Sequence, residues 1–333
     1  MVNRLSVKKC AFTMAEILLS LTIIGVVAAI TLPSLTGNIN ERTWNTQRKA
    51  LYARFSQALP LMDALNGYGT LAEMTDSATG STSIEDTAAE TFVTSGLSKV
   101  IKINNICDNE HLEDCGVTSK ITTLNGSQID MPTTMQELNE KMVGSYSNIH
   151  DKFSLLDTKA AAFETQNGES ITVFYNPRCL GSLNEYPKGA GGGFFMQPKI
   201  CANFIYDLNG NKGPNTVGKD IGFMTALYPF DAVLVAPYPA VRPLDGTYYL
   251  AVDSGVSAAQ ACTNYDSEYR LPNADELAAM FINRELLKSD VTTGAFWSSS
   301  TISSTGAWVQ FMTNGQRDDY GKSTQQGVWC VKR

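Results

Sequence analysis

Residues 8–33 read KKCAFTMAEILLSLTIIGVVAAITLP. A short basic leader runs into an apolar stretch that carries one acid, Glu16. From Phe12 to Leu32 there are 21 residues, which at about 1.5 Å per residue make roughly 31 Å of helix, close to the ~30 Å hydrocarbon core of a bilayer. The leader contains Arg4, Lys8 and Lys9 and no acid, so the positive-inside bias would hold residues 1–11 in the cytoplasm and send the rest across. The stretch therefore predicts a transmembrane segment over residues 12–32, with the following residues outside the cytoplasm.

The residues AFTMAEILLSL resemble the processing site of type IV prepilins and type II secretion pseudopilins. In that family a peptidase cuts after a small residue and methylates the new terminal amine, usually on Phe, with an acid four residues further on. Ala11, Phe12 and Glu16 match those places, although Ala11 stands where Gly is usual. Gly25 and Pro33 fall where pilin helices often carry breakers. The resemblance implies that Glu16 meets the Phe12 amine of the next subunit, and the cost of a lone acid in lipid, about 2.5–3.5 kcal/mol, agrees with such a purpose. Other readings stay open at this point. Glu16 near a helix start complements the macrodipole; Val27-Ala28-Ala29 fits a secretory cleavage site; and an uncleaved anchor has the same hydropathy.

The length of 333 residues allows two or three domains. Removing the leader removes three positive and no negative charges, which moves the net charge from -7 to -10. That balance disfavours nucleic acid as a partner. Beyond Cys10 in the leader, Cys107, Cys115, Cys179, Cys201, Cys262 and Cys330 form an even set, which in an exported chain reads as disulfides. Fifteen pairings exist for six cysteines. The nearest-neighbour pairs, Cys107 with Cys115, Cys179 with Cys201 and Cys262 with Cys330, each fall inside one apparent structural unit and are the expected ones. No CxxC spacing or Cys/His cluster argues for metal instead.

Past Pro33 the helical period resumes. Trp44, Leu51, Tyr52, Phe55, Ala58 and Leu59 line one face and Arg42, Lys49 and Ala53 another, so a sheet is needed to cover the first. Residues 73–85 are a small, polar loop. A helix follows, with Asp86 as its cap and Gly96 as its breaker. His111, in the acidic Cys107–Cys115 loop, and His150 are isolated residues with no triad or zinc motif, and no catalytic function is expected.

The β signal is clearest in AAAFETQNGESITVFYNP, where alternating runs flank Asn167-Gly168, a dipeptide suited to a tight hairpin. KICANFIYDLNG supplies a third run, and together they predict an antiparallel meander packed on the long helix. KGAGGGFF, residues 188–195, lacks the GK[ST] ending of a phosphate loop and reads as a plain loop. In residues 207–220, DLNGNKGPNTVGKD, the donors Asp207, Asn209 and Asn211 alternate, and Asp220 lies where it would close a shell around a hard cation such as Ca2+. The pattern fails the EF-hand template, and a polar turn held by Asx bonds explains it equally. The pseudopilin resemblance adds that some members carry calcium in a loop after their sheet. No other cofactor is expected.

APYPAVRPLDG, residues 236–246, reads as a linker. Beyond it, YRLPNADEL, FWSSST, AWVQF and GVWCVKR resemble, in order, the C-terminal domain of Lcl-type bacterial collagen-like adhesins, which implies a C-type-lectin-like fold and surface binding. Asn273 would cap a helix with Glu276 reaching back, and Leu277, Met280 and Phe281 would form its core face. Trp297, Trp308 and Trp329 fall on β-like runs, and Asn314-Gly315 on a hairpin turn. Neither EPN nor WND occurs, so calcium-dependent sugar binding of the animal type is not expected. Trp308 is the candidate ligand contact, with core packing as its alternative, and Arg270 reads as an ion-pair partner.

The expected architecture is α+β: a long N-terminal transmembrane/pilin helix packed on an antiparallel sheet, followed by a C-type-lectin-like domain. Its parts are a leader (1–11), the helix (12–62), a pilin-like domain (63–235) and an independently folding module (236–333). The expected function is a minor pilin or pseudopilin that displays an adhesive module from the inner membrane or a filament. A membrane-anchored binding protein that does not polymerise is the alternative. The implied partners are the prepilin peptidase/methyltransferase, other pilin subunits, the inner membrane, and a host matrix protein or surface glycan.

Overall fold

The computed structural model describes residues 14–66, 87–134, 137, 159–175, 200–227, 234–235, 241–251, 255–287, 294–313 and 317–332. The chain divides into two compact units, residues 1–46 and 47–333. Helix α1, Met14–Asn66, supplies the described part of the first unit and the first element of the second.

In the first unit the large apolar side chains of α1 from Met14 to Val27 are between 46% and 78% exposed. The expected transmembrane segment does not stand: among the described residues no helix is long and apolar enough to cross a membrane. This overturns the architecture built on a long transmembrane/pilin helix, and with it the single-pass inner-membrane location and the membrane-anchored alternative. What the structure supports is an α+β fold with antiparallel sheets.

The second unit is layered. Sheet one has the order β1-β4-β5-β6-β7-β8 and is antiparallel throughout. Its strands are β1 (Ile103–Cys107), β4 (Ala161–Thr165), β5 (Ser170–Tyr175), β6 (Ile200–Asp207), β7 (Ile221–Leu227) and β8 (Leu234–Val235). A separate hairpin pairs β2 (Lys120–Thr122) with β3 (Gln128–Asp130). The β4–β5 turn falls at Asn167-Gly168 as its sequence predicts. Gly168 takes φ +81°, a conformation that costs an L side chain strain, and the Gly168 amide donates to the Thr165 carbonyl at 3.0 Å.

One face of sheet one carries α1 and α2 (Ala88–Ser95). Leu51, Phe55, Ala58, Leu59 and Met62 of α1 are buried, whereas Lys49 and Ala53 are exposed. Phe55 meets Phe204 edge-on at 5.0 Å, and Phe92 stacks on Tyr175 at 4.4 Å. A fully buried aromatic or aliphatic side chain of this kind contributes roughly 1.5–3 kcal/mol. The cap of α2 is Thr87, without a side-chain bond, rather than Asp86, which lies outside the described residues.

On the other face, Ala162, Phe174 and Ile205 join one apolar cluster with Leu277, Met280 and Phe281 of α4 (Ala274–Ile282). The same cluster includes Phe296, Trp329 and Val331 of sheet two. Every residue of α4 except Asp275 is buried, as expected of a helix covered on all sides. Three apolar residues were expected to form its core face; the whole helix does. Its N-terminus carries a capping box: Asn273 Oδ1 accepts from the Glu276 amide at 2.8 Å, and Glu276 Oε2 accepts from the Asn273 amide at 2.6 Å. Arg270 grips the same Glu276 with two bonds of 2.8 Å.

Sheet two runs β10-β14-β11-β12-β13, with β9 pairing β14. Its strands are β9 (Val241–Tyr249), β10 (Tyr269–Arg270), β11 (Ala295–Thr301), β12 (Gly306–Phe311), β13 (Arg317–Gly321) and β14 (Gln325–Lys332). All pairings are antiparallel except β11 with β14, where Phe296 lies opposite Gly327. Its second face buries Trp297, Val309 and Val328 against Ala258 and Cys262 of α3 (Ala258–Tyr265). The short α5 (Arg284–Leu287) follows α4.

The reading of residues 236–246 as a linker needs correcting, because Val241 to Asp245 and beyond form β9. The sequence misleads through Pro243, which sits opposite Trp329. Among the described residues β9 pairs only β14, and an edge strand tolerates a residue without an N–H.

Candidate functional site

The β6–β7 connection, residues 208–220, buries Leu208, Val217 and Asp220, and it is strapped on three sides. Asp220, fully buried, accepts at Oδ2 from the Asn215 amide at 2.9 Å and at Oδ1 from the Thr216 amide at 2.8 Å. The Asn215 carbonyl and the Val217 amide bond to either side of Thr122 on β2, both at 2.9 Å. From α1, Arg48 donates to the Gly218 and Lys219 carbonyls at 3.2 and 2.6 Å, and its Nε donates to the Tyr206 hydroxyl at 3.0 Å. Burial pushes the Tyr206 phenol up to about 12, partly offset by Arg48. Gly222 faces that phenol so closely that a Cβ would lie 2.1 Å from the hydroxyl, which leaves room only for glycine.

Asp207 ends β6 and is buried. Its Oδ1 accepts from the Asn209 amide at 3.1 Å, an Asx turn, while Oδ2 has no partner. Asn209 donates through Nδ2 to the Gly213 carbonyl at 2.9 Å, and its Oδ1 is likewise buried without a partner. Burial drives the Asp207 carboxyl up to about 7; the Asn209 amide bond opposes the shift and the Asp220 charge adds to it. Beside it lies a cavity of about 10 Å³, lined in part by Thr118, Ser170, Thr172 and Asp207, which is on the scale of a single water.

The four residues singled out as cation ligands thus separate. Asp207 and Asn209 present bare oxygens, Asp220 has both of its oxygens engaged by the loop backbone, and Asn211 is exposed. Among the described residues no group of three or more His, Cys, Asp or Glu side chains is gathered for a metal.

The remaining candidates are distributed over the molecule. Ala11 and Phe12 lie outside the described residues; Glu16 lies within α1, but its side chain is outside them. Disulfides join Cys107 to Cys115 and Cys262 to Cys330. Of the expected Cys179–Cys201 pair, Cys201 lies on β6 with its side chain outside the described residues and Cys179 lies outside them altogether, as do the 188–195 loop, His150 and the Asn314-Gly315 turn. Trp308 is half-buried on β12, across from Asp319 of β13, while Trp297 and Trp329 are core residues. His111 Nδ1 stands 2.8 Å from Asp108 Oδ1, which raises the imidazole above its usual range and lowers the carboxyl.

Sequence reasoning missed Arg48, although its position three and seven residues before Leu51 and Phe55 sets it on the buried face of the helix. It also missed Arg284, whose buried guanidinium bonds the Phe281 carbonyl at 3.0 Å and is lowered by burial to about 10. No protein-family model matches the chain, and no curated protein matches it.

Proposed function

We propose that the chain is a minor subunit of a filament of the type IV pilus or type II secretion class, and that residues 236–333 carry its surface-binding face. The observation that carries this reading is the row of exposed apolar side chains on α1, from Met14 to Val27. Such a row leaves water when covered, with a gain of about 25 cal/mol per Å², and α1 helices of neighbouring copies laid side by side would cover it. Ala11, Phe12 and Glu16 support the same reading. Processing by a prepilin peptidase/methyltransferase would create an amine at Phe12, and the Glu16 carboxylate of the adjoining subunit is its natural counter-charge. The adhesive part rests on the resemblance of the last hundred residues, with a host matrix protein or a surface glycan as the partner.

The test is immunogold microscopy and N-terminal mass spectrometry of sheared filaments from cells that make the wild-type chain or Ile24→Asp. The wild type should label filaments and begin at N-methylated Phe12. Ile24→Asp should be lost from filaments while its urea midpoint stays put, because the change lies outside residues 47–333. Filaments that never label, or that take up Ile24→Asp undiminished, would remove the reading.

A further inference from the structure

We propose that Asn125, at the tip of the β2–β3 hairpin, is the acceptor of an N-linked glycan transferred from a glycosyl diphosphate carried on a polyprenyl lipid. The inference concerns the folded unit alone and stands apart from the filament reading.

Asn125-Gly126-Ser127 is the one Asn-x-Ser/Thr triplet in the 333 residues. Such a triplet serves as an acceptor where a surface loop of an exported chain presents it. Two observations meet those conditions. The Cys107–Cys115 and Cys262–Cys330 bridges are of the kind that persists outside the reducing cytoplasm. Residues 125–128 are all exposed, and a Cβ added at Gly126 would meet nothing within 4 Å, so the tip is open to a large partner.

The hairpin also fixes the triplet in one conformation. Thr122 pairs with Gln128, the Thr123 amide donates to the Ser127 carbonyl at 2.8 Å, and the Gly126 amide donates to the Thr123 carbonyl at 2.9 Å. Behind the tip, the Leu124 amide donates to the Leu286 carbonyl of α5 at 3.1 Å, which ties the hairpin to the body of the unit. Within that frame Asn125 makes an Asx turn: Oδ1 accepts from the Ser127 amide at 3.1 Å and from the Thr123 hydroxyl at 2.7 Å. The turn holds the oxygen and leaves the nitrogen unbound. Among the described residues neither Asn125 Nδ2 nor the Ser127 hydroxyl has a partner.

A carboxamide nitrogen is a poor nucleophile, because its lone pair is delocalised into the carbonyl. Two donors on Oδ1 stabilise the negative charge that gathers on that oxygen as Nδ2 gives up a proton to a base of the transferase. Nδ2 then bonds to the anomeric carbon of the sugar. The bond from that carbon to the diphosphate oxygen breaks, and its electron pair leaves with the diphosphate. No oxidant or reductant takes part. The Ser127 hydroxyl stays free for the transferase to read. The competing modification is deamidation, in which the Gly126 nitrogen attacks the Asn125 side-chain carbon; the bond from the Gly126 amide to the Thr123 carbonyl holds that nitrogen back.

The test is mass spectrometry of the full chain purified from the cells that make it, with fragmentation of tryptic peptide 121–141 to locate any added mass. The wild-type peptide should carry sugar on Asn125. Asn125→Gln and Ser127→Ala should each lose it, and Ser127→Thr should keep it. Ser127→Ala retains the backbone amide that donates to Asn125 Oδ1, so its urea midpoint should match the wild type and separate loss of the acceptor from loss of the fold. A bare wild-type peptide, deamidation alone, sugar on Ser127 instead of Asn125, or a glycan that survives Ser127→Ala would each overturn the assignment.

Discussion

The side-chain amides of Asn203 and Asn283 form a reciprocal pair: Asn203 donates to Asn283 Oδ1 at 2.8 Å, and Asn283 donates to Asn203 Oδ1 at 2.9 Å. Both residues are fully buried, and 80 positions separate them. Thr225 donates a third bond to Asn203 Oδ1 at 2.7 Å, and Asn283 also reaches the Ala279 carbonyl at 2.9 Å. The pair therefore joins β6 and β7 of sheet one to the C-terminal end of α4.

Breaking this pair from one side should be expensive. Asn283→Ala leaves the Asn203 amide buried without its partner, a cost of about 1–3 kcal/mol for each orphaned group. The double variant Asn203→Ala/Asn283→Ala should cost clearly less than the two single costs added, because the second change removes the orphan left by the first. Urea unfolding of the four proteins measures the cycle, and simple additivity would show that the amides do not interact.

The fragment 236–333 should fail to fold alone. Cut away from sheet one, α4 would expose the side of Leu277, Met280 and Phe281 that now meets Ala162, Phe174 and Ile205, and Asn283 would lose its partner. Residues 47–333 should instead unfold in one transition, at the same urea midpoint by fluorescence and by circular dichroism. A fragment with dispersed amide resonances, or two separated transitions, would contradict the shared core.

Removing the Cys262–Cys330 link by a double Ser substitution should destabilise the unit by up to about 4 kcal/mol, the chain-entropy value for a loop of this length. The bridge closes 68 residues and ties α3 to β14. The Cys107–Cys115 bridge closes 8 residues and should contribute less. Urea midpoints of the two variants, measured side by side, rank the bridges; the reverse order would exclude loop length as the determinant.

The His111 imidazole should titrate above its usual value of ~6.5, because Asp108 stabilises its charged form. A raised folded-state value means that the pairing favours the fold fully below the unfolded pKa and fades as pH rises through the folded one. Both groups are exposed, so the readout is the NMR titration midpoint, which Asp108→Asn should return towards the unperturbed value. An unchanged midpoint would show that the pair does not persist in water.

Local features of this fold were legible where one short stretch contains the whole cause. Asn167-Gly168 makes its turn because the dipeptide itself supplies the left-handed conformation. Asn273 and Glu276 make a capping box within four residues, and the 51–59 face follows from helical period. The sequence misled where the cause is remote. Nothing near Asn203 or Asn283 announces a bond across 80 positions. The full burial of α4 depends on two sheets closing over it, and Pro243 looks like linker until β14 is in place beside it. The candidate site was half legible: alternating oxygens pointed to the loop, but Asp220 resembles a ligand in sequence and becomes a brace only once the Asn215 and Thr216 amides turn towards it. The transmembrane expectation came from the 21 residues counted from Phe12 to Leu32, whereas among the described residues no helix is long and apolar enough to cross a membrane.

Pro243 has one further effect. Sheet two ends on one side in β13, whose outer positions include Asp318 and Asp319, and on the other in β9, where Pro243 lacks the amide hydrogen that an added strand would need. Charge on one margin and a missing donor on the other hinder edge-to-edge zipping between molecules. Copies of this chain held at high local concentration would thus be kept from extending one another's sheets into an aggregate, and lateral association would be left to helices.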